Sequence, residues 1–392
     1  MTFSADITIV GAGPYGLSIA AHLAGSNFRI IGTPMESWIN NMPTGMLLKS
    51  EGIYSNLRAP RNAFTLERFC KEQGIAYHDL HVPVTLETFT AYCLAFERQH
   101  VPTLERARVS RITQLGEGFE LTMADGSSFT SRKVVIATGH EEHRNLPQQL
   151  ADLPPEYCTH SGDHRDMACF KDKDVIVLGA GPSATETATL LHQNLARVQL
   201  LARGAKVSHF PMRSVKRPLM RRVRAPLSAV GTGWASLQWS DGPWLRRYLS
   251  DRIKTVVGKK LARSTSDADL LKRFTVIPKL LGYQILQAKV QDRRVQLTIS
   301  DAAGKQRQLV ADHVIAATGH RHDVRRMSFL DADLIDRLDL IENCPRLSAH
   351  FESSVPGLYF VGAISIPSFG SLMKFVAGAA FTTQRIIRSL KT

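Results

Sequence analysis

The chain has 392 residues, of which 44% are hydrophobic and 21% charged, a composition typical of a globular protein with a sizeable core. No apolar run is long enough to span a bilayer, and no basic stretch followed by an apolar core stands at the start. The five cysteines are widely spaced and contain no Cys-x-x-Cys pair, as in a reducing compartment. The sequence therefore predicts a cytoplasmic protein of two or three domains, and it argues against a relay through paired thiols.

The net charge of +14 is concentrated in one segment of the chain. Between Arg203 and Arg263 there are 15 Lys or Arg residues against Asp241 and Asp251, interleaved with three of the four tryptophans. Such a segment can steer an anionic substrate toward a cleft, dock an acidic partner such as a carrier protein or a membrane surface, or simply be a solvated insertion. Binding of nucleic acid is not expected.

The first predicted element is a strand at Ile7–Val10, which runs into the glycine-rich loop Gly11–Gly16 (GAGPYG). A strand, a glycine turn and a helix start form a pyrophosphate site, because the first glycine makes the turn, the second admits the phosphate and the third lets the helix pack on the strand. The loop therefore predicts a bound dinucleotide. An acidic residue for the adenosine ribose is expected about 20 positions later. Gly32 stands there instead, and Glu36 is the nearest acid.

A second loop of the same kind, Gly179–Ala184 (GAGPSA), follows the apolar run Val175–Leu178. Two such loops in one chain indicate two dinucleotides and electron transfer between them. After the next strand stands Arg203, where enzymes that use NAD carry an acid. A guanidinium there can pair with a 2′-phosphate and so favours NADPH over NADH. A solvated basic loop is the alternative for this residue.

Two further apolar strands echo the glycine loops, because Lys133–Ala137 and Val314–Ala317 both end at Thr-Gly. Short strands alternate with helical patterns around them, which indicates parallel sheets. We therefore expect an α/β protein with two Rossmann-like dinucleotide-binding domains, the first of them discontinuous. The expected boundaries are 1–158 and 325–392 for the first domain and 159–324 for the second, with a basic insertion at about 204–263.

The remaining predicted elements are two small hairpins, a last strand and a C-terminal helix. They are expected at Gly118–Met123 with 127–130, at Arg294–Ser300 with 306–310, at 357–362 and at 370–390.

Two local patterns join the glycine loops in resembling a known group of flavoproteins. Met46–Ser50 (MLLKS) resembles the segment of amino-acid N-hydroxylases that runs along the flavin and the substrate. His160–Arg165 (HSGDHR) resembles the linker ahead of the nicotinamide loop in flavin monooxygenases. With the loops, nearly the whole chain is similar to flavin-containing monooxygenases and ornithine or lysine N-hydroxylases, which have a glutathione-reductase-like fold.

The resemblance implies that the first loop holds FAD and the second NADPH. NADPH would reduce FAD, and a flavin hydroperoxide formed with dioxygen would insert one oxygen atom into a small molecule. That molecule would be an amine that is N-hydroxylated or a heteroaromatic, such as urate, that is hydroxylated. Lys49 falls where the N-hydroxylases place a lysine near the substrate. The cofactor contacts expected from the loops and the resemblance are Gly11, Gly13, Pro14, Tyr15, Gly16, Glu36, Trp38, Met46, Val109, Thr138, Gly139, Gly179, Gly181, Pro182, Ser183, Ala184, Arg203, Gly362, Ser371 and Leu372.

Several of these residues have a second interpretation that the sequence leaves open. Glu36 can equally be an exposed residue at a helix start, and Trp38 a core tryptophan. Ser371 can cap the C-terminal helix, whose N–H groups are expected to face the flavin. His140 and His320 follow the two Thr-Gly pairs and are more typical of structural loop histidines than of acid–base catalysts. The scattered histidines lack metal-ligand spacing, so no metal is expected.

Two other functions stay open at this point. An NADPH oxidase or quinone reductase would carry the same two loops and pass its electrons to dioxygen or a quinone. A protein that docks an acidic partner through the basic segment is the other, and such docking is compatible with oxygenation of a carrier-bound substrate. The sequence leaves the substrate and the oligomeric state undetermined.

Overall fold

The computed structural model describes residues 3–207 and 268–392, together with 210–211, 220, 227–229, 231–232 and 265–266. Most of the basic insertion predicted at about 204–263 therefore lies outside the described residues. Within the described part of the chain, no helix combines the length and the apolar character needed to cross a membrane.

Strands and helices alternate through most of the described chain. The strands are β1 (Ala5–Val10), β2 (Phe28–Ile31), β3 (Leu47–Glu51), β4 (Pro83–Thr85), β5 (Val109–Leu115), β6 (Gly118–Met123), β7 (Ser128–Ile136), β8 (Cys158–His160), β9 (Asp174–Leu178), β10 (Arg197–Ala202), β11 (Phe210–Pro211), β12 (Leu227–Ser228), β13 (Gly231–Thr232), β14 (Thr265–Ser266), β15 (Lys279–Leu281), β16 (Gln284–Gln291), β17 (Arg294–Ser300), β18 (Gln306–Ala311), β19 (His313–Ala316), β20 (Leu340–Ile341), β21 (Cys344–Pro345) and β22 (Leu358–Phe360). The α-helices are α1 (Pro14–Ala20), α2 (Glu36–Asn40), α3 (Leu66–Glu72), α4 (Leu86–His100), α5 (Pro182–Gln193), α6 (Ala268–Thr275), α7 (Ala332–Asp336), α8 (Ile366–Phe369) and α9 (Gly378–Leu390).

The first sheet has the order β2, β1, β7, β6, β5, and β22 also pairs with β7. Strand β1 runs parallel to both of its neighbours, and α1 connects it to β2, so these elements form a βαβ unit. Strand β22 comes from near the C-terminus and runs parallel to β7. Residues from both ends of the chain therefore complete this sheet. We call the unit built on it the first domain.

The second sheet consists of five parallel strands in the order β15, β10, β9, β19, β8. Alternate residues of β9 point to opposite faces. Val175 and Val177 pack in an apolar cluster with α5, whereas Ile176 and Leu178 pack in another with the antiparallel sheet of β16, β17 and β18. Because both faces are covered, β9 is apolar along its whole length. We call this unit the second domain.

The structure confirms the predicted α/β architecture, and both predicted hairpins form antiparallel pairs. The second sheet is parallel as expected, whereas the first is mixed, because β5 and β6 add an antiparallel edge to its parallel strands. The C-terminal helix is a correction, because α9 begins at Gly378 and not near Gly370. Gly370 has a φ of +93° and separates α8 from a single 3-10 turn, Ser371–Lys374, after which Phe375 is extended. The exact boundaries of the two domains remain a prediction.

Truncation of Phe360 tests the contribution of β22 to the first domain. The side chain is fully buried, so Phe360→Ala is expected to lower the free energy of unfolding by about 3–5 kcal/mol. Val310 in β18 is half exposed, and Val310→Ala is expected to cost less than about 0.5 kcal/mol. Urea unfolding followed by circular dichroism measures both, and equal losses would contradict this role of β22.

Candidate functional site

The glycines of the first loop serve three different purposes. Gly11 has a φ of +113°, and a Cβ there would lie 2.4 Å from the carbonyl oxygen of Ala137. A Cβ on Gly16 would lie 2.0 Å from the carbonyl oxygen of Gly11. Among the described residues other than Gly13 and its chain neighbours, none has a heavy atom within 4 Å of the position that a Cβ on Gly13 would take. Packing therefore requires the first and third glycines, and the second leaves room beside the backbone that fits a pyrophosphate.

The second loop repeats this division of roles. Gly179 has a φ of +145°, and a Cβ there would lie 2.4 Å from the carbonyl oxygen of Ala317. Ala184, in the third position, is fully buried against it. Gly181 again borders open space, and it precedes the twelve-residue helix α5 without a side-chain cap. The first N–H groups of α5 therefore point to where an anion can be held.

Gly32 replaces the expected acid for a reason of packing. Its φ is +149°, and a Cβ there would lie 3.0 Å from the backbone nitrogen of Ala12 in the first loop. Its own N–H donates to the carbonyl oxygen of Glu105, 3.0 Å away. The Glu105 carboxylate accepts two hydrogen bonds from Arg29, at 2.7 and 2.5 Å. Glu105 is thus an acid close to this strand end, which the sequence did not reveal, whereas Glu36 is exposed at the start of α2.

Tyr15 connects the first loop to the C-terminal part of the chain. Its hydroxyl lies 3.1 Å from the carbonyl oxygen of Met373 and 3.0 Å from that of Phe375, and it donates to them. Desolvation raises the pKa of this hydroxyl above its ordinary value. A Cβ on Gly378 would lie 2.1 Å from the hydroxyl oxygen, so the glycine at the start of α9 makes room for it. Tyr15 therefore fixes the turn that carries Ser371 and Leu372 beside the loop.

The other predicted cofactor contacts are distributed around these loops. Trp38 is half-buried and packs on Phe89, with ring centroids 4.7 Å apart. Thr138 and Gly139 follow β7 directly. Buried positions are taken by Pro14, Met46, Val109, Gly362 and Leu372, intermediate ones by Gly13, Thr138, Gly179, Gly181, Pro182 and Ser371, and exposed ones by Gly139, Ser183 and Arg203.

Lys49 contacts the second domain. Its ammonium lies 2.9 Å from the carboxylate of Glu186, a buried residue on α5, while Lys49 itself is on β3. The side chains are 33% and 8% exposed, respectively. The predicted substrate lysine is therefore one half of an ion pair between the domains. An ammonium has three N–H donors, so this pairing alone does not exclude a further anionic ligand.

Five histidines meet where the chain passes between the two domains, and two of them, His140 and His320, are the residues that follow the Thr-Gly pairs. The ring centroids of His140 and His320 are 5.0 Å apart. His143 and His322 stand three and two positions after these residues, which is a local signal in the sequence, whereas His160 comes from β8 and has no such signal. The cluster, which we call the histidine cluster, consists of His140, His143, His160, His320 and His322.

The cysteines are unsuited to thiol chemistry. All five belong to the described residues, where none forms a disulfide. Burial raises the pKa of Cys158 and of Cys344 to about 12, and the pKa of each of the others is also raised, chiefly by desolvation. A thiol with a raised pKa is a poor nucleophile at neutral pH, because only the thiolate reacts. Among the described residues, no group of three or more His, Cys, Asp or Glu side chains is arranged to hold a metal ion.

A family model for pyridine nucleotide-disulphide oxidoreductases matches residues 8–229, more than half of the chain. The chain belongs to this family. Among curated relatives, ferredoxin–NADP reductase 1 of Listeria monocytogenes is 28% identical over 205 residues, covering 51% of this chain and 54% of the relative. The chain thus spans about half the length of such relatives. An indole-3-pyruvate monooxygenase of Oryza sativa subsp. japonica is 24% identical over 348 residues, 82% of this chain and 78% of its own.

Solved structures extend the likeness to the whole fold. The ornithine N-hydroxylase of Kutzneria sp. 744 superposes with a TM-score of 0.76 at 17% identity, covering 99% of both chains. The predicted relationship in fold to N-hydroxylases and flavin monooxygenases is confirmed, and so is the oxidoreductase class of the family. The Kutzneria structure contains reduced FAD, NADP+ and L-ornithine.

A pair of alanine substitutions separates cofactor binding from packing. Gly13→Ala fills open space at a φ of −81°, which alanine adopts freely, so thermal stability of the apoprotein should stay unchanged. Its FAD content after purification should fall at least tenfold, because the methyl group occupies the phosphate position. Gly16→Ala meets a carbonyl oxygen and should lower stability as well as FAD content. A Gly13→Ala protein with full FAD content would contradict the assignment of this loop.

The ion pair between Lys49 and Glu186 can be tested by a double-mutant cycle. Lys49→Met leaves a buried carboxylate without its cation and is expected to cost about 1–3 kcal/mol of unfolding free energy. Adding Glu186→Leu should recover most of that loss, because both charges are then gone. Lys71→Met, at an exposed position on α3, is the control and should change stability little. Additive losses from the two substitutions would show that the side chains do not interact.

Proposed function

We propose that the protein is an FAD- and NADPH-dependent monooxygenase that inserts one oxygen atom of dioxygen into a small molecule. The observation that carries the proposal is the combination of two loops that fit dinucleotides with five cysteines whose thiols are held protonated. A chain of this family that lacks a reactive thiol pair needs another acceptor for its electrons. Dioxygen is the acceptor that agrees with the monooxygenases among its relatives.

The residues of the chain bind and position the two cofactors in this proposal. Gly13 and Gly181 admit the pyrophosphates of FAD and NADPH, and the N–H groups at the start of α5 hold the second of these. Arg203, exposed at the end of β10, pairs with the 2′-phosphate of NADPH. When bound, FAD accepts a hydride from NADPH and activates dioxygen. The protein excludes water from that reaction and aligns the substrate.

An amine or a heteroaromatic compound is the proposed substrate class. The Kutzneria enzyme binds L-ornithine, and its fold is similar over nearly the entire chain. Lys49 would then contact a substrate carboxylate while sharing its ammonium with Glu186. A heteroaromatic substrate such as urate, which needs no such cation, is the second possibility within this class.

A reductase is the second candidate function, and the Listeria ferredoxin–NADP reductase favours it. In that case NADPH would be oxidised and the electrons would pass to a protein or a quinone. Docking of an acidic partner or of a carrier-bound substrate on the basic segment is a related proposal, and that segment lies mostly outside the described residues. A cytoplasmic location is part of the same proposal.

Product analysis with labelled dioxygen separates these functions. Purified protein is incubated with NADPH and a panel of amines, amino acids and heteroaromatics including urate, and the products are read by mass spectrometry. A monooxygenase yields a product that carries one labelled oxygen atom for each NADPH consumed. Release of hydrogen peroxide with every compound, or reduction of quinone or ferredoxin without labelled product, would contradict the proposal.

Arg203 is expected to set the preference between the nicotinamide cofactors. A charge-assisted hydrogen bond is worth about 1.5–3 kcal/mol, so Arg203→Gln should lower kcat/KM for NADPH about ten- to a hundredfold. The value for NADH should stay within about twofold, because NADH has no 2′-phosphate. Arg197→Gln, at the exposed start of β10, is the matched control. Equal losses with both cofactors would contradict the contact.

A further inference from the structure

The chain crosses between the two domains at two places, and these crossings are bonded to each other. The N–H of Asn145 donates to the carbonyl oxygen of Gly319 at 3.0 Å, and the N–H of Arg321 donates to that of His143 at 2.8 Å. Arg144 and His320 form an antiparallel bridge between them. We call residues 143–145 and 319–321 the interdomain tie. A change in the relative position of the two domains has to pass through it.

The histidine cluster shares His143 and His320 with this tie, and its other three rings lie beside it. Nδ1 of His140 lies 3.1 Å from Nε2 of His322, which places one imidazole N–H between them. His160 contacts the tie directly, since its Nε2 lies 3.0 Å from the carbonyl oxygen of Gly319. A neutral imidazole has one donor and one acceptor nitrogen, whereas a protonated one has two donors. The contact between His140 and His322 therefore requires that at least one ring is neutral.

The charged side chains that face the histidine cluster do little to stabilise protonated rings. Lys374, from the 3-10 turn ahead of α9, faces His140 and His322, and Arg326 faces His143. The nearby acids are Glu141, Asp163 and Asp323. Arg144 pairs with both Glu141 and Asp163, and Arg325 lies 3.6 Å from Asp323. Each acid therefore already has a cationic partner.

Burial and mutual repulsion both favour the neutral rings. Desolvation is the largest cause for each, followed for several of them by the neighbouring histidines. The pKa of His140 and of His143 is lowered to about 4, that of His320 to about 3 and that of His322 to about 2. Burial also lowers the pKa of His160. All five rings are thus neutral at pH 7 in the assembled state.

We propose that the histidine cluster is a proton-sensitive lock on the interdomain tie, which holds the two domains together while its rings are neutral and releases them when the rings are protonated. The lock is independent of the proposed oxygenation, because it concerns the position of the two domains and not the electron acceptor. The ligand that operates it is the proton.

The direction of the pH dependence follows from proton linkage. A hydrated histidine has a pKa of about 6.5, so the separated state takes up protons below that pH, while His140 and His143 stay neutral in the assembled state down to about pH 4. Stability of the tie is therefore fully present above about pH 7 and is lost as the pH falls. Between pH 7.5 and 5.5, each histidine that becomes hydrated raises the opening constant about tenfold.

Hydrogen exchange read by mass spectrometry tests this lock in the full chain. After correction for the intrinsic exchange rate, the amides of Asn145 and Arg321 should open at least tenfold more often at pH 5.5 than at pH 7.5. Amides in the centre of β1 and β9 should change less, because they report opening of the whole domain. If the opening of the tie amides does not depend on pH, or changes as much as that of the core amides, the proposal is overturned.

A variant with His140→Asn and His322→Gln replaces two titrating rings by neutral amides of similar reach. Between pH 7.5 and 5.5, the opening constant of the tie should rise up to about a hundredfold less in this variant than in the wild type, since each ring contributes up to about tenfold. His192→Gln, exposed on α5, is the matched control and should respond like the wild type. A double variant that keeps the full response would overturn the role of these two rings. If it does not fold, NMR titration of the wild type decides, because cluster rings that titrate near pH 6.5 in the assembled protein would equally overturn it.

Discussion

Both dinucleotide loops depend on the close approach of a glycine turn to the end of a neighbouring strand. In the first domain Gly11 lies against the carbonyl group of Ala137, and in the second Gly179 lies against that of Ala317. In each case a β-carbon would lie at 2.4 Å from oxygen, a distance at which real atoms repel strongly. The turn can therefore close only without a side chain. The closed turn leaves the second glycine beside open space and sets the direction of the helix that follows.

Polar contacts join the two domains at two places. Lys49 and Glu186 form one such contact, and backbone N–H groups and histidine rings form another at the interdomain tie. Separating polar contacts of this kind costs less free energy than opening an apolar core, because water can replace the lost hydrogen-bond partners. The cores of the two domains, by contrast, are separate apolar clusters. The structure thus joins separately packed apolar cores through polar contacts.

Local patterns predicted the parts of the structure that are determined locally. The spacing of Gly11, Gly13 and Gly16 and the apolar runs before each loop were sufficient for the strands, the turns and the α/β class. The predicted start of α9 was wrong because the positive φ of Gly370 interrupts an apolar segment that has helical spacing. The sequence shows that Gly32 stands where an acid is expected. It does not show the reason, which is the close approach of Gly32 to Ala12 in the folded chain.

The residues that sequence reasoning missed are those brought together by tertiary structure. Glu105 reaches the end of β2 from a segment more than seventy positions away, and Glu186 reaches Lys49 from the other domain. The pairs His140–His143 and His320–His322 are each close in sequence, but nothing in the sequence shows that these two pairs meet each other and His160. Pairings of this kind depend on which loops the fold places side by side, and a single sequence carries no signal for them.

The bonds of Tyr15 to Met373 and Phe375 have a consequence for synthesis on the ribosome. The first domain lacks β22, the last of the three strands that pair with β7, and the acceptors for the Tyr15 hydroxyl until almost the entire chain has emerged. The second domain is continuous in sequence and can close earlier, since domains generally fold as units during synthesis. The unit that is translated first is therefore completed last, and until then β7 has an unpaired edge on which another chain can add a strand.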